Sequence, residues 1–149
     1  MKRLYPDHPV VGVGAVIVDN GNIALIKRGN EPSRGKWTIP GGLVELAESP
    51  ERAVVREVKE ETGLDVENPV LVDVVSNVDL DEKGKVKYHY VIIEYFVHVK
   101  AGTAQALSDA AELRWVPFKE VEDYDLTRSF RLFFTNNREK LEKANSYKP

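Results

Sequence analysis

Glu57, Glu60 and Glu61 are spaced so that on an α-helix all three side chains share one face. Three like charges so close repel, and a helix gains nothing in stability by gathering them. A cation offsets that cost. Oxygen ligands, in a chain with no cysteine and with no histidine nearby, favour Mg²⁺ or Mn²⁺ over zinc. Taken alone, however, a Glu-x-x-Glu-Glu is more commonly a solvated acidic helix face than a metal site.

The elements that must position these groups follow from the flanking residues. Ser49-Pro50-Glu51 is a helix start: Ser49 caps free N–H groups, Pro50 suits the first helical position, and Glu51 favours the positive end. Gly63 supplies the stop, giving a helix over about 50–62 with Ala53, Val54 and Val58 against a sheet. Val10 to Val18 reads as a buried strand, Asp19-Asn20-Gly21-Asn22 as a turn, and Ile23 to Lys27 as the second strand of a hairpin. Residues 29–36 form a loop, and Trp37 to Ile39 is a short extended piece ending at Pro40-Gly41-Gly42. Val70 to Leu80 and Val86 to Val99 are strands joined by the turn at Asp81 to Gly84. The second is apolar on both parities, as expected of a central strand covered on both faces. Arg114 to Val116 is a further strand. Lys119 to Tyr124 and Thr127 to Ala144 are helical, with Arg138, Glu139, Lys140, Glu142 and Lys143 on a solvated face. The sum is a mixed sheet with helices on both sides.

The 149 residues fit one domain with a sizeable core. Hydrophobic residues at 42% and charged residues at 30% describe a globular chain. A net charge of -3, without a basic stripe, argues against a nucleic-acid reader. The absence of cysteine excludes disulfides and thiolate metal sites. No apolar run has signal-peptide or membrane-spanning character, so the expected compartment is the cytoplasm, with no membrane partner.

The wider stretch Gly42 to Leu64 carries more than the three glutamates. Gly42 is followed after five residues by Glu48, and seven residues later by Arg56-Glu57-Val58-Lys59-Glu60-Glu61-Thr62-Gly63-Leu64. This resembles the Nudix box, G-x5-E-x7-R-E-U-x-E-E-x-G-U with U aliphatic, at every fixed position. Trp37-Thr38-Ile39-Pro40-Gly41-Gly42 and Arg114-Trp115-Val116-Pro117 are also similar to that superfamily. The resemblance covers roughly Val10 to Phe134 and implies an α+β fold, an α/β/α sandwich around a mixed sheet.

The resemblance also implies roles. Glu57 and Glu61 are the principal metal ligands, Glu60 a third ligand or the general base, and the Gly41 carbonyl the non-carboxylate ligand. Arg56 orients the adjacent glutamates or touches phosphate, Glu48 fixes the loop, and Gly63 is structural. Asp109, Glu112 and Glu94 are further candidates for the base, with Glu112 equally readable as a partner of Arg114 or Lys119. Lys27 and Arg28 can reach a substrate phosphate, or are ordinary strand-end charges. Trp37 can stack a base, although a tryptophan beside a sheet is more often core. His89, between Tyr88 and Tyr90, is structural or lines the pocket wall. The expected reaction is Mg²⁺-dependent hydrolysis of a nucleoside-diphosphate derivative, with Mn²⁺ as a substitute. The 81–95 hairpin, the 112–117 strand and Leu126-Thr127 are most similar to small ADP-ribose pyrophosphatases, which implies cleavage of ADP-ribose to AMP and ribose 5-phosphate. The alternatives are a MutT-type nucleoside-triphosphate pyrophosphohydrolase and, more remotely, a non-catalytic nucleotide sensor. A homodimer is expected by the same similarity.

Overall fold

The computed structural model describes residues 2–146. Its order is β1 (Val10–Asp19), β2 (Asn22–Arg28), β3 (Trp37–Thr38), β4 (Gly41–Leu43), α1 (Pro50–Thr62), β5 (Asp65–Leu80), β6 (Val86–Ala101), β7 (Ala110–Pro117), a 3₁₀ turn (Phe118–Asp123) and α2 (Arg128–Ser146). The sheet is mixed. β1 runs parallel to β6 along Val10–Ile17 and antiparallel to β4, while β5 and β6 form a long antiparallel pair. β2 is flanked by β3 and β7 and meets β1 only at their shared turn.

β1 is buried on both faces because a helix covers each side. Val13, Ala15 and Ile17 face Ala53, Val54 and Val58 of α1. Val16 faces the other layer, where Phe130, Phe133, Phe134 and Leu141 of α2 pack with Ile23, Leu25 and Val116. Each such side chain contributes roughly 1.5–3 kcal/mol on burial, so the apolar stripe of α2 holds that layer shut. α1 has the expected ends. Ser49 Oγ accepts from the Arg52 N–H at 3.2 Å, and Gly63, at φ 77°, donates its N–H to the Lys59 carbonyl.

Several boundaries differ from the sequence reading. β5 begins at Asp65 rather than Val70, because β6 pairs with it through bulges that step over Asn68 and Pro69. β7 extends from Ala110 because it follows the whole of β2. Residues 118–123 are a 3₁₀ turn, and α2 starts at Arg128. β6 lies between β1 and β5, but is well covered only over Glu94–Val97; Tyr88–Ile93 are half-buried and both ends are exposed. The helices do not reach the far end of the hairpin. The C-terminal charges are not all merely solvated: Arg138 joins Glu122 at 2.6 Å and Glu142 at 3.1 Å, and Lys140 Nζ donates to the Val72 carbonyl.

Candidate active site

β4 crosses in front of α1, and two glycines let them meet. A Cβ on Gly42 would collide with the Glu57 carboxylate, and one on Gly41 would enter the Val13 carbonyl of β1. At Gly41 the obstacle is backbone and only glycine fits, whereas a side chain at Gly42 would push the Glu57 carboxylate out of place. The Pro40 carbonyl and the Val44 N–H bond to β1. Strand alternation therefore turns the Gly41 N–H and C=O away from β1. That N–H donates to Glu61 Oε1 at 2.7 Å, leaving the Gly41 carbonyl on the same open edge as Glu61.

Glu61 is only 6% exposed, and burial pushes its carboxyl up to about 8 against the opposing pull of the Gly41 N–H; the Glu57 charge adds to the rise. Burial also raises Glu57, against the pull of Arg56. Glu60 is half-exposed.

Arg56 ties this face to the loop before α1. Its Nε and Nη2 donate to both oxygens of Glu48 at 2.7 and 2.9 Å, and Nη2 also reaches the Leu43 carbonyl. Its Nη1 donates to Glu57 at 2.9 Å and to Glu60 at 3.2 Å. A planar guanidinium serves all of these acceptors at once, which an ammonium could not do. Glu48 in turn accepts from the Glu45 N–H, and these bonds, Arg56 foremost, hold its carboxyl near 2.

A cleft of about 460 Å³ opens beside this cluster. Glu57, Glu60, Glu61, Gly41 and Arg28 line it, together with Asp109 and Glu94. Arg28 is anchored by its Nε–H to the Pro32 carbonyl at 2.7 Å. Asp109 accepts from Asn30 and helps raise Glu57 and Glu61. Glu94 pairs across the sheet with Gly14, whose missing side chain makes room for the carboxylate. Burial and then the Asp73 charge push Glu94 up to about 8, and it has no hydrogen-bond or ion-pair partner among the described residues.

These residues fit a divalent cation by their chemistry. The donors are all oxygen, two buried carboxylates repel each other, and a peptide carbonyl faces the same edge. Among the described residues no three acidic or histidine side chains are already gathered at ligand distance. A divalent cation held by one or two carboxylates would complete its shell with water and substrate phosphate.

Other expected residues lie elsewhere. Trp37 is not a stacking platform: it is 7% exposed, packed edge-on to Tyr124 and covered by the Arg114 guanidinium at 5.0 Å. Its apolar ring is used by the core, so the substrate-binding expectation is corrected. Lys27 alternates to the face opposite Arg28 and does not line the cleft. Glu112 pairs with Arg114 at 2.9 Å, also outside the cleft. His89 is half-buried beside Ser76. The orphaned state of Glu94 was hidden from sequence, although the glycines within the β-branched run of β1 were a signal that something approaches there.

The NUDIX domain family matches residues 8–135. An ADP-ribose pyrophosphatase of Methanocaldococcus jannaschii is 40% identical over 136 residues, covering 91% of this chain and 73% of the relative. A MutT-like protein of Streptomyces ambofaciens is 32% identical, covering 79% and 70%. The crystal structure of a MutT NUDIX hydrolase from Burkholderia pseudomallei superimposes with a TM-score of 0.73 at 36% identity, covering 85% of this chain and 95% of that one. With the complete box folded around Arg56 and the family's domain spanning nearly the whole chain, this protein belongs to the Nudix hydrolases.

Proposed function

We propose that this Nudix hydrolase cleaves ADP-ribose to AMP and ribose 5-phosphate with a divalent cation, Mg²⁺ or in its place Mn²⁺. The observation that carries the reading is the buried pair Glu57 and Glu61, pressed against Gly42 and Gly41, whose carboxyls burial raises despite the pull of Arg56 on the first and of the Gly41 N–H and Arg28 on the second. The relative named ADP-ribose pyrophosphatase supports the substrate.

Glu57, Glu61 and the Gly41 carbonyl would hold the cation, with Glu60 at its margin. Bound there, it would neutralise phosphoryl charge and lower the pKa of water. The protein's own groups do the rest. Arg56 fixes the carboxylates, Arg28 faces the phosphates, and Glu60 accepts the proton of the attacking water, with Glu94 and Asp109 as the other acids facing the cleft. Water adds to one phosphorus, the bridging P–O bond breaks, and the two products leave as phosphomonoesters.

The second reading, a MutT-type nucleoside-triphosphate pyrophosphohydrolase, is favoured by the likeness to the Burkholderia MutT hydrolase. Incubation with Mg²⁺ and a panel of ADP-ribose, 8-oxo-dGTP, ordinary nucleoside triphosphates and diadenosine polyphosphates separates the two. AMP with ribose 5-phosphate is expected. A nucleoside monophosphate with pyrophosphate supports the second reading, and no turnover with either metal indicates a sensor. We also propose a homodimer, supported by the uncovered apolar side chains Val11, Val74, Val78 and Val86.

A further inference from the structure

The cleft extends well beyond the carboxylates. On β6 the residues Glu94, Ile92 and Tyr90 share one face, and β1 sets Gly14 and Gly12 beside the first two. Small residues on β1 thus open a floor that ends at the Tyr90 ring, four residues or about 13 Å from Glu94 at roughly 3.3 Å per residue. Tyr90 is half-buried and lines the cleft.

The N-terminal segment reaches this far end. The Tyr5 N–H donates to the Lys87 carbonyl at 2.8 Å, its hydroxyl donates to Asp81 at 2.8 Å, and Lys85 lies 5.1 Å from its ring centroid. Tyr5 itself sits at φ 50°. These contacts hold a non-glycine residue in the left-handed region and reverse the chain there. Arg3, just before the reversal, lines the cleft, and its charge acts on Tyr90. Its guanidinium has no hydrogen bond or ion pair among the described residues. Arg128 lines the same end but is already committed to Asn77, the Val78 carbonyl and Asp79. Among the described residues that line this end, Arg3 is therefore a cation committed to no other side chain or carbonyl.

We infer that Arg3 and Tyr90 form a subsite for the heteroaromatic base of the nucleotide, with Tyr5 as the positioning residue that holds Arg3 over it. The base stacks on the Tyr90 ring, and the planar guanidinium covers or hydrogen-bonds it. The subsite rests on the nucleotide-hydrolase reading above, and does not depend on ADP-ribose being the substrate.

The test is calorimetric titration of the full chain with ADP, GDP, CDP and UDP, and with inorganic pyrophosphate as a probe that lacks a base. Arg3→Ala and Tyr90→Leu should each weaken the best-bound nucleotide about tenfold, with pyrophosphate binding unchanged within twofold. Tyr5→Phe should give a smaller loss for the nucleotide alone. Unchanged melting temperatures show that the variants fold; Arg3→Gln serves if Tyr90→Leu does not. The inference is overturned if no nucleotide binds better than pyrophosphate, if nucleotide affinity survives Arg3→Ala, or if both probes weaken equally, which would make Arg3 a general anion attractant. ADP-ribose turnover, measured in parallel, reports separately on the proposed substrate.

Discussion

At the residue scale, the site is a set of carboxylates distinguished by what surrounds them. Glu61 is buried against a peptide N–H, Glu57 is buried against Gly42 and held by Arg56, and Glu60 is half-exposed. Glu61→Gln should lower kcat by more than about a hundredfold with the fold intact, as a Mg²⁺ titration and a thermal melt would show. Arg56→Lys keeps the charge but loses the fork, so metal affinity or activity should fall about 10–100-fold. Glu94 gives a pH prediction. Its folded carboxyl is raised from 4.5 to about 8, so between those values the native state binds more protons than the unfolded chain. Stability of the metal-free protein should therefore fall as pH rises from about 4.5 to 8. Glu61, raised to a similar value, adds to the same slope, so in urea titrations with EDTA Glu94→Gln should reduce the slope without abolishing it; an unchanged slope would refute the assignment. The box residues were legible because their chemistry and spacing lie within one helix and its lead-in loop. Glu94 was named as a candidate acid, but its burial was not legible, because that depends on β1 lying parallel to β6, a contact between distant parts of the chain. Trp37 misled for the same reason: its neighbours Tyr124 and Arg114 are far away in sequence.

At the element scale, the reading of α1 over about 50–62 agrees with its Pro50–Thr62 span because its punctuation is local. Ser49 and Gly63 end it by bonds to its own backbone. Ser49→Ala should cost about 1 kcal/mol of stability, and Gly63→Ala a similar amount, because Gly63 sits at φ 77°. Differential scanning calorimetry checks both. The strands were found but their lengths were not. β5 and β7 extend past their apolar runs because a paired neighbour continues, and ladder hydrogen bonds recruit polar residues such as Asp65, Glu67 and Glu112. Apolar residues on both parities of β6 foretold its central position between β1 and β5, yet cover depends on where the helices stop.

At the scale of the whole molecule, the two helical layers shut the sheet at one end and leave the β5–β6 hairpin uncovered at the other. Val74 and Val78 are 52% and 38% exposed on one face of β5. If that face joins two copies, Val74→Glu with Val78→Glu should convert a dimer to a monomer in light scattering, without loss of the monomer's fold. The cleft runs from Glu61 out to Tyr90 on the hairpin strands, and acidic and basic groups face its shared floor. Its chemistry is tested most directly by ³¹P spectra of ADP-ribose incubated with the protein and Mg²⁺. The expected result is loss of the diphosphate signals and growth of two phosphomonoester signals, from AMP and ribose 5-phosphate, abolished by EDTA. Persistence of the diphosphate signals with both Mg²⁺ and Mn²⁺ would contradict it.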